Sequence, residues 1–179
     1  SNHLLALINE ILDISKIEAN KAELSLEKID IKDAVQESLS ILNNRVSEKN
    51  IKLDYVCEEN FTVLSDRRRI SQIVINIAGN AIKFTDKGGV TVTVKKINNK
   101  FFEISVIDTG CGVKDEDMQK LFEPFQQIDS SLTKKHEGTG LGLHLSQRIV
   151  VMLGGSIRVE SEYGNGTSFF VQLPIETEV

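Results

Sequence analysis

The chain has 179 residues, 40 % of them hydrophobic and 26 % charged, with a formal net charge of −5. That size suits one globular domain plus a small appendage, and the apolar content excludes a disordered chain. The acidic balance argues against a nucleic-acid partner: Arg67-Arg68-Arg69 is the one strong basic cluster, and it reads first as a solvated helix start.

Cys57 and Cys111 stand in neither a CxxC pair nor a His cluster, so no metal ligation by cysteine is expected. Low cysteine usage fits a reducing cytoplasm. No run approaches the length of a membrane-spanning helix, and no direct membrane contact is predicted. The start lacks the basic segment of a signal peptide. The chain opens without Met inside a helical pattern, which reads as a piece of a longer protein.

The spacing predicts a helix over 4–22. Leu5, Ile8, Leu12, Ser15, Ala19 and Ala22 recur at alternating intervals of three and four, flanked by Leu4 and Ile11. This is a heptad seam, which needs a partner helix or a second protomer; packing on the chain's own globular part is the alternative. Residues 23–30 break the pattern. A helix follows from Ile31 towards Lys49, capped by Asp30, and then two short strands, Ile51–Tyr55 and Phe61–Leu64. Asp66 is positioned to cap a long helix running to about Phe84, with Ile70, Ile73, Val74, Ile77, Ala78 and Ala81 on its buried side. Val90–Ile97 and Phe101–Asp108 form a hairpin across Asn98-Asn99. A long polar stretch over 109–140 carries one short helix near Asp117–Leu121. A helix from Leu141 to about Leu153 and two strands, Ser156–Glu160 and Thr167–Leu173, complete the chain. About six strands with helices to one side predict an α+β two-layer sandwich, its mixed sheet covered on one face.

Three glycine clusters stand out: Asp108–Gly112, Gly138–Leu143 and Gly164–Thr167. Each alone is more often a turn. The second runs straight into a helix, where unpaired N–H groups suit phosphate. Neither a P-loop nor a Rossmann fingerprint is present. Asn76, Asn80 and Lys83 share one helix face, and two Asn amid an apolar stripe invite a reason. They are either satisfied core amides or ligands: Asn80 a hard oxygen donor for Mg²⁺, Lys83 a point charge for phosphate.

Asn76–Thr85 closely resembles the N box of sensor histidine kinases. Asp108–Gly112 is similar to their G1 box, Leu121–Phe125 to the F box, Gly138–Leu143 to the G2 box and Gly164–Phe169 to the last glycine box, all in the family's order. Ile8–Ala19 resembles the second helix of the dimerization and phosphotransfer domain, and the closest flavour is the hybrid kinases. The resemblance implies residues 1–25 as part of that helical domain and 26–179 as a catalytic ATP-binding domain of the Bergerat fold, shared with gyrase, heat-shock chaperones and MutL. It implies ATP and Mg²⁺ as ligands. Asp108 would take the adenine amine, Gly110 and Gly112 would pass beside the base, and Thr167 would stand at the same end. Asn80 would ligate Mg²⁺ with Asn76 in support, and Lys83 and Phe84 would approach phosphate and adenine. Gly138, Thr139, Gly140, Leu141, Gly142 and Leu143 would close on the phosphates below a lid over 126–137, which Phe122 and Phe125 would anchor. Lys134, Lys135 or His136 would reach the γ-phosphate, because the Arg that relatives often carry in this lid is absent.

The implied activity is transfer of the ATP γ-phosphoryl group to a His, then relay to a response-regulator receiver domain. The full-length protein would be a homodimer through a helical bundle. No acceptor-type sequence surrounds His3, so the acceptor lies outside this chain, and His144 reads as a surface residue. Three rivals stay open. ATPases of the same fold place a Glu four residues before the metal-binding Asn, where this chain has Asn76, an amide that cannot take a proton from water. A serine kinase of the anti-sigma kind and a non-catalytic nucleotide-binding module are the others.

Overall fold

A computed structural model describes residues 2–128 and 138–179. Helix α1 spans Asn2–Glu18. Strand β1 (Glu27–Asp30) leads into α2 (Ile31–Ser40) and α3 (Asn43–Lys49). Strands β2 (Lys52–Cys57) and β3 (Thr62–Ser65) precede the long α4 (Arg67–Lys83). The hairpin β4 (Gly89–Lys96) and β5 (Phe101–Asp108) follows, then a short α5 (Asp115–Met118), α6 (Gly142–Met152), β6 (Ser156–Glu162) and β7 (Gly166–Pro174).

The main sheet has the order β2-β4-β5-β7-β6, with β2 parallel to β4 and the other pairs antiparallel. Its inner face alternates at period two: Val90, Val92 and Val94 beside Phe102, Ile104 and Val106, then Phe169, Val171 and Leu173, all buried. Helices α4 and α6 cover that face, α2 packs on α4, and α1 packs on α6. The α4 stripe of Ile70, Ile73, Val74, Ile77, Ala78 and Ala81 is buried as the spacing predicts. Each large side chain removed from water there contributes about 1.5–3 kcal/mol. The mixed two-layer sandwich expected from the sequence is what forms.

Local chemistry fixes the helix starts. Asp30 Oδ1 accepts the Asp33 N–H at 3.0 Å, and Asp66 Oδ1 accepts the Arg69 N–H at 3.1 Å, each satisfying a first-turn donor. The helix expected over 31–49 is two, α2 and α3, separated by a turn at Ile41 and Leu42. Strand β1 falls in the expected break. It pairs antiparallel with β3 as a separate two-stranded sheet, a pairing 34 residues away in register (Ile29 with Val63) that local periodicity does not carry. Among the described residues, no helix is long and apolar enough to cross a membrane.

Two expectations about charged residues are corrected. Arg69 is not a solvated helix start: it is buried, and its Nη1 donates to Asp13 Oδ2 of α1 at 2.6 Å. His144 is not on the surface: it is buried, its Nδ1 lies 2.9 Å from the Phe122 carbonyl, and its Nε2 lies 3.7 Å from Glu18. In both, the partner comes from an element remote in sequence.

Candidate functional site

The C-terminal half of α4, the end of β5, the start of α6 and the β6–β7 turn converge. Asp108 closes β5, the middle strand of the sheet, and is 6 % exposed. Its Oδ1 accepts the Gly110 N–H at 2.8 Å and the Thr167 N–H at 3.2 Å. Among the described residues Oδ2 has no partner, so one carboxylate oxygen is held and the other is available. Burial pushes the Asp108 carboxyl above the usual aspartate range, against the pull of those two N–H groups. The Thr167 hydroxyl lies 2.9 Å from Ser161 Oγ.

The glycines around Asp108 are set by close backbone packing. Gly112 has φ 68°, and a Cβ there would collide with the Glu162 carbonyl. A Cβ on Gly110 would meet the Phe84 carbonyl and lie 2.9 Å from Asp108 Oδ1. Gly110 and Gly112 therefore let the strand end, the α4 terminus and the β6–β7 turn touch through bare backbone.

On α4, Asn76 and Asn80 differ. The Asn76 Nδ2 donates to Ser146 Oγ at 3.3 Å and the Gly142 carbonyl at 3.4 Å, tying α4 to α6. The half-buried Asn80 carboxamide has no hydrogen-bond partner among the described residues. Asn76 is thus a satisfied amide between α4 and α6, and Asn80 has no such tie among the described residues. Lys83 is half-buried, with its Nζ 5.1 Å from the centre of the Phe84 ring and 2.6 Å from where a Cβ on Gly138 would stand. Burial first, and then the Arg45 charge, hold its ammonium below the usual lysine range.

Gly138, Thr139 and Gly140 lead into α6. The Gly138 carbonyl accepts from Gln127 Nε2, and the Gly140 carbonyl accepts the Phe125 N–H at 3.0 Å. Gly140 has φ 71°, and a Cβ there would press within 2.8 Å of Phe125 backbone. Thr139 Oγ1 donates to Glu10 of α1 at 2.8 Å and accepts the Leu141 N–H at 3.3 Å. Leu141 is buried and offers no side-chain cap to α6. The first N–H groups of α6, on Gly142, Leu143 and His144, are left to other acceptors. Lys134, Lys135 and His136 lie outside the described residues, as does most of the expected lid.

Among the described residues, a buried carboxylate with one unpartnered oxygen, an unpartnered amide, a lysine without a counter-ion and a helix start without a side-chain cap stand together at this end of the sheet. The mixed sheet with helices on one face is the fold of the Bergerat type. The chain belongs to the histidine kinase-, DNA gyrase B-, and HSP90-like ATPase family, whose model matches residues 65–177. It is 40 % identical over 179 residues to hybrid signal transduction histidine kinase B of Dictyostelium discoideum, covering 97 % of this chain and 9 % of that protein. It is 40 % identical over 181 residues to the autoinducer 2 sensor kinase/phosphatase LuxQ of Vibrio cholerae, covering 97 % and 21 %. Full-length ShkA, solved with AMPPNP, superimposes with a TM-score of 0.88 at 35 % identity, over 99 % of this chain and 37 % of that one. The chain thus spans well under half the length of these relatives.

What sequence reasoning left open is how α1 docks on the chain's own globular part. Besides Glu10, its Asp13 accepts from Arg69 and from Gln72 Nε2 at 3.1 Å, and Glu18 lies 3.5 Å from Arg148 on α6. Charge on α1 is visible in the sequence, but nothing local says which cations it meets.

Proposed function

We propose that this chain is the ATP-binding catalytic part of a sensor histidine kinase, delivering the γ-phosphoryl group of ATP to a His on another helix for relay to a receiver-domain Asp. The observation that carries the reading is the asymmetric tie of Asp108, one oxygen fixed by Gly110 and Thr167 and the other free in a buried setting. That free oxygen accepts the exocyclic amine of adenine, and Thr167 lies at the same end. Phe84 packs beside the base. Asn80 supplies an oxygen for Mg²⁺, and Lys83 with the α6 N–H groups and the Gly138–Leu143 backbone takes the phosphates. Bound Mg²⁺ would neutralise phosphate charge and polarise the transferred group. Catalysis then rests on positioning and charge neutralisation.

Asn76 supports transfer over hydrolysis. Its Nδ2 is spent on Ser146 and Gly142, and an amide has no basicity to activate water. The exposed seam of α1, with Leu4, Leu5, Ile8, Ile11 and Leu12 each 40–59 % exposed, supports a bundle partner, in the full-length protein a second copy. Residues 1–25 then belong to the bundle and 26–179 to the catalytic domain. His3 is exposed on α1 and is not the acceptor in this reading.

Calorimetric titration with ATP and Mg²⁺ tests the site. Asp108→Ala is expected to weaken binding by about a hundredfold, roughly 3 kcal/mol for a hydrogen bond to a charged group in a dry setting. Unchanged affinity would overturn the assignment. Rapid ATP turnover by the chain alone would favour the ATPase rival.

A further inference from the structure

Lys83 is the one cation of the Asn76, Asn80 and Lys83 set, and a triphosphate carries several negative charges. The chain places no arginine in the 126–137 stretch. A second cation stands against the same stretch of α4, at Gly79. Lys49 and Arg45 stand four residues apart on α3, so they share a helix face. Lys49 shows where that face points: its Nζ donates to the carbonyls of Ile82 and Lys83 at 2.9 and 2.7 Å, capping α4, and pairs with Asp86 at 3.3 Å. One turn back, Arg45 Nη1 lies 3.7 Å from the position a Cβ on Gly79 would take, alongside Leu42. Gly79 immediately precedes Asn80 and stands four residues before Lys83. Arg45 is near enough to Lys83 for its charge to disfavour the ammonium.

The two cations differ in commitment. Lys49 is satisfied by two carbonyls and a carboxylate. Arg45 is exposed and has neither an ion pair nor a hydrogen bond among the described residues, and Lys83 has no ion pair there either. Two like charges thus stand on either side of Gly79 and Asn80 along α4, neither with an ion pair among the described residues. Such a pair is unfavourable alone and favourable around a polyanion. The planar guanidinium also suits bidentate contact with phosphate oxygens.

We infer that Arg45, carried by α3 across Gly79, is a phosphate-binding residue of this site, gripping the phosphate end of the nucleotide opposite the α6 N-terminus. The inference rests on the nucleotide reading above. It makes α3, through the Lys49 cap, the element that sets the distance between this cation and Asn80.

The test is calorimetric titration of the 179-residue chain with ATP, ADP and AMP in Mg²⁺. Arg45→Gln is expected to weaken ATP about tenfold, ADP less, and AMP by under about twofold, with Arg45→Lys intermediate for ATP. Arg158→Gln removes the same charge from an exposed residue of β6 and is expected to change none of them. Asp108→Ala weakens all three nucleotides alike. If Asp108→Ala spares AMP, the nucleotide reading itself fails. If Asp108→Ala acts but Arg45→Gln shifts ATP by less than about twofold, shifts all three equally, or is matched by Arg158→Gln, the role of Arg45 alone is overturned.

Discussion

Asp108 shows how one residue is prepared by its surroundings. Two backbone N–H groups fix one oxygen, and burial keeps water from the rest. Its carboxyl is raised in the folded chain, so its contribution to stability is full below the unfolded pKa and is lost as pH rises through the folded one. Near neutral pH the buried charge costs stability, and in the proposed reading it leaves an acceptor for the base. Asp108→Asn, which cannot ionise, is therefore expected to match or exceed the parent in urea unfolding at neutral pH. That advantage should shrink as the solution is acidified through and below the carboxyl range. An advantage independent of pH would contradict the assigned cost. Nucleotide affinity of the parent should fall on the acid side at a pH above the ordinary aspartate range, and the Asn variant should lack that limb.

At the scale of elements, α1 has two faces with different fates. Ile14 and Ile17 are buried, whereas Leu5 and Leu12 are more than half exposed. Thermal or urea unfolding should report Ile14→Ala as destabilising by about 3 kcal/mol, and Leu5→Ala as neutral within about 0.5 kcal/mol. The reverse ranking would mean that the helix docks by its other face. Polar ties accompany the apolar ones. Burial alone would raise the Asp13 carboxyl, but hydrogen bonds from Arg69 and Gln72 and the Arg69 charge overcome it and hold it below the usual range. Its stabilisation is present above the unfolded carboxyl pKa and is lost as pH falls through the lowered folded value. Asp13→Ala leaves Arg69 buried without its carboxylate, at a cost of about 3 kcal/mol. Hydrogen exchange should then rise first in α1, and uniform exchange across the chain would count against a local dock.

For the whole molecule, the site couples remote segments. Helix α1 reaches the glycine loop through Glu10 and Thr139, α6 through Glu18, and the Phe122 segment through His144. A ligand held between α4, β5 and α6 binds only the assembled form, so it stabilises the fold by mass action. ATP with Mg²⁺ at a hundred times its Kd should add about 2.7 kcal/mol to unfolding. Asn80→Ala should remove the Mg²⁺-dependent share of that gain in a thermal-shift assay. An undiminished Mg²⁺ effect would take Asn80 out of the metal's coordination.

The sequence by itself determined the elements whose information is local. The 3.6-residue stripe of α4, the period-two strands β4, β5 and β7, the Asp30 and Asp66 caps and the order of the glycine clusters all read directly, because each rests on neighbours within a few residues. Asn80, Lys83 and Asp108 were legible as candidates for the same reason: polar residues in apolar patterns have a local cost. Tertiary structure alone decided what depends on partners far along the chain. It chose which face of α1 is buried, turned Arg69 and His144 inward against Asp13, Glu18 and Phe122, paired β1 with β3 and gave Asn76 and Asn80 different surroundings. It also brought Arg45 across Gly79 towards Lys83. The energy of a charge or an amide is set by what stands opposite it, and only the fold brings those opposites together.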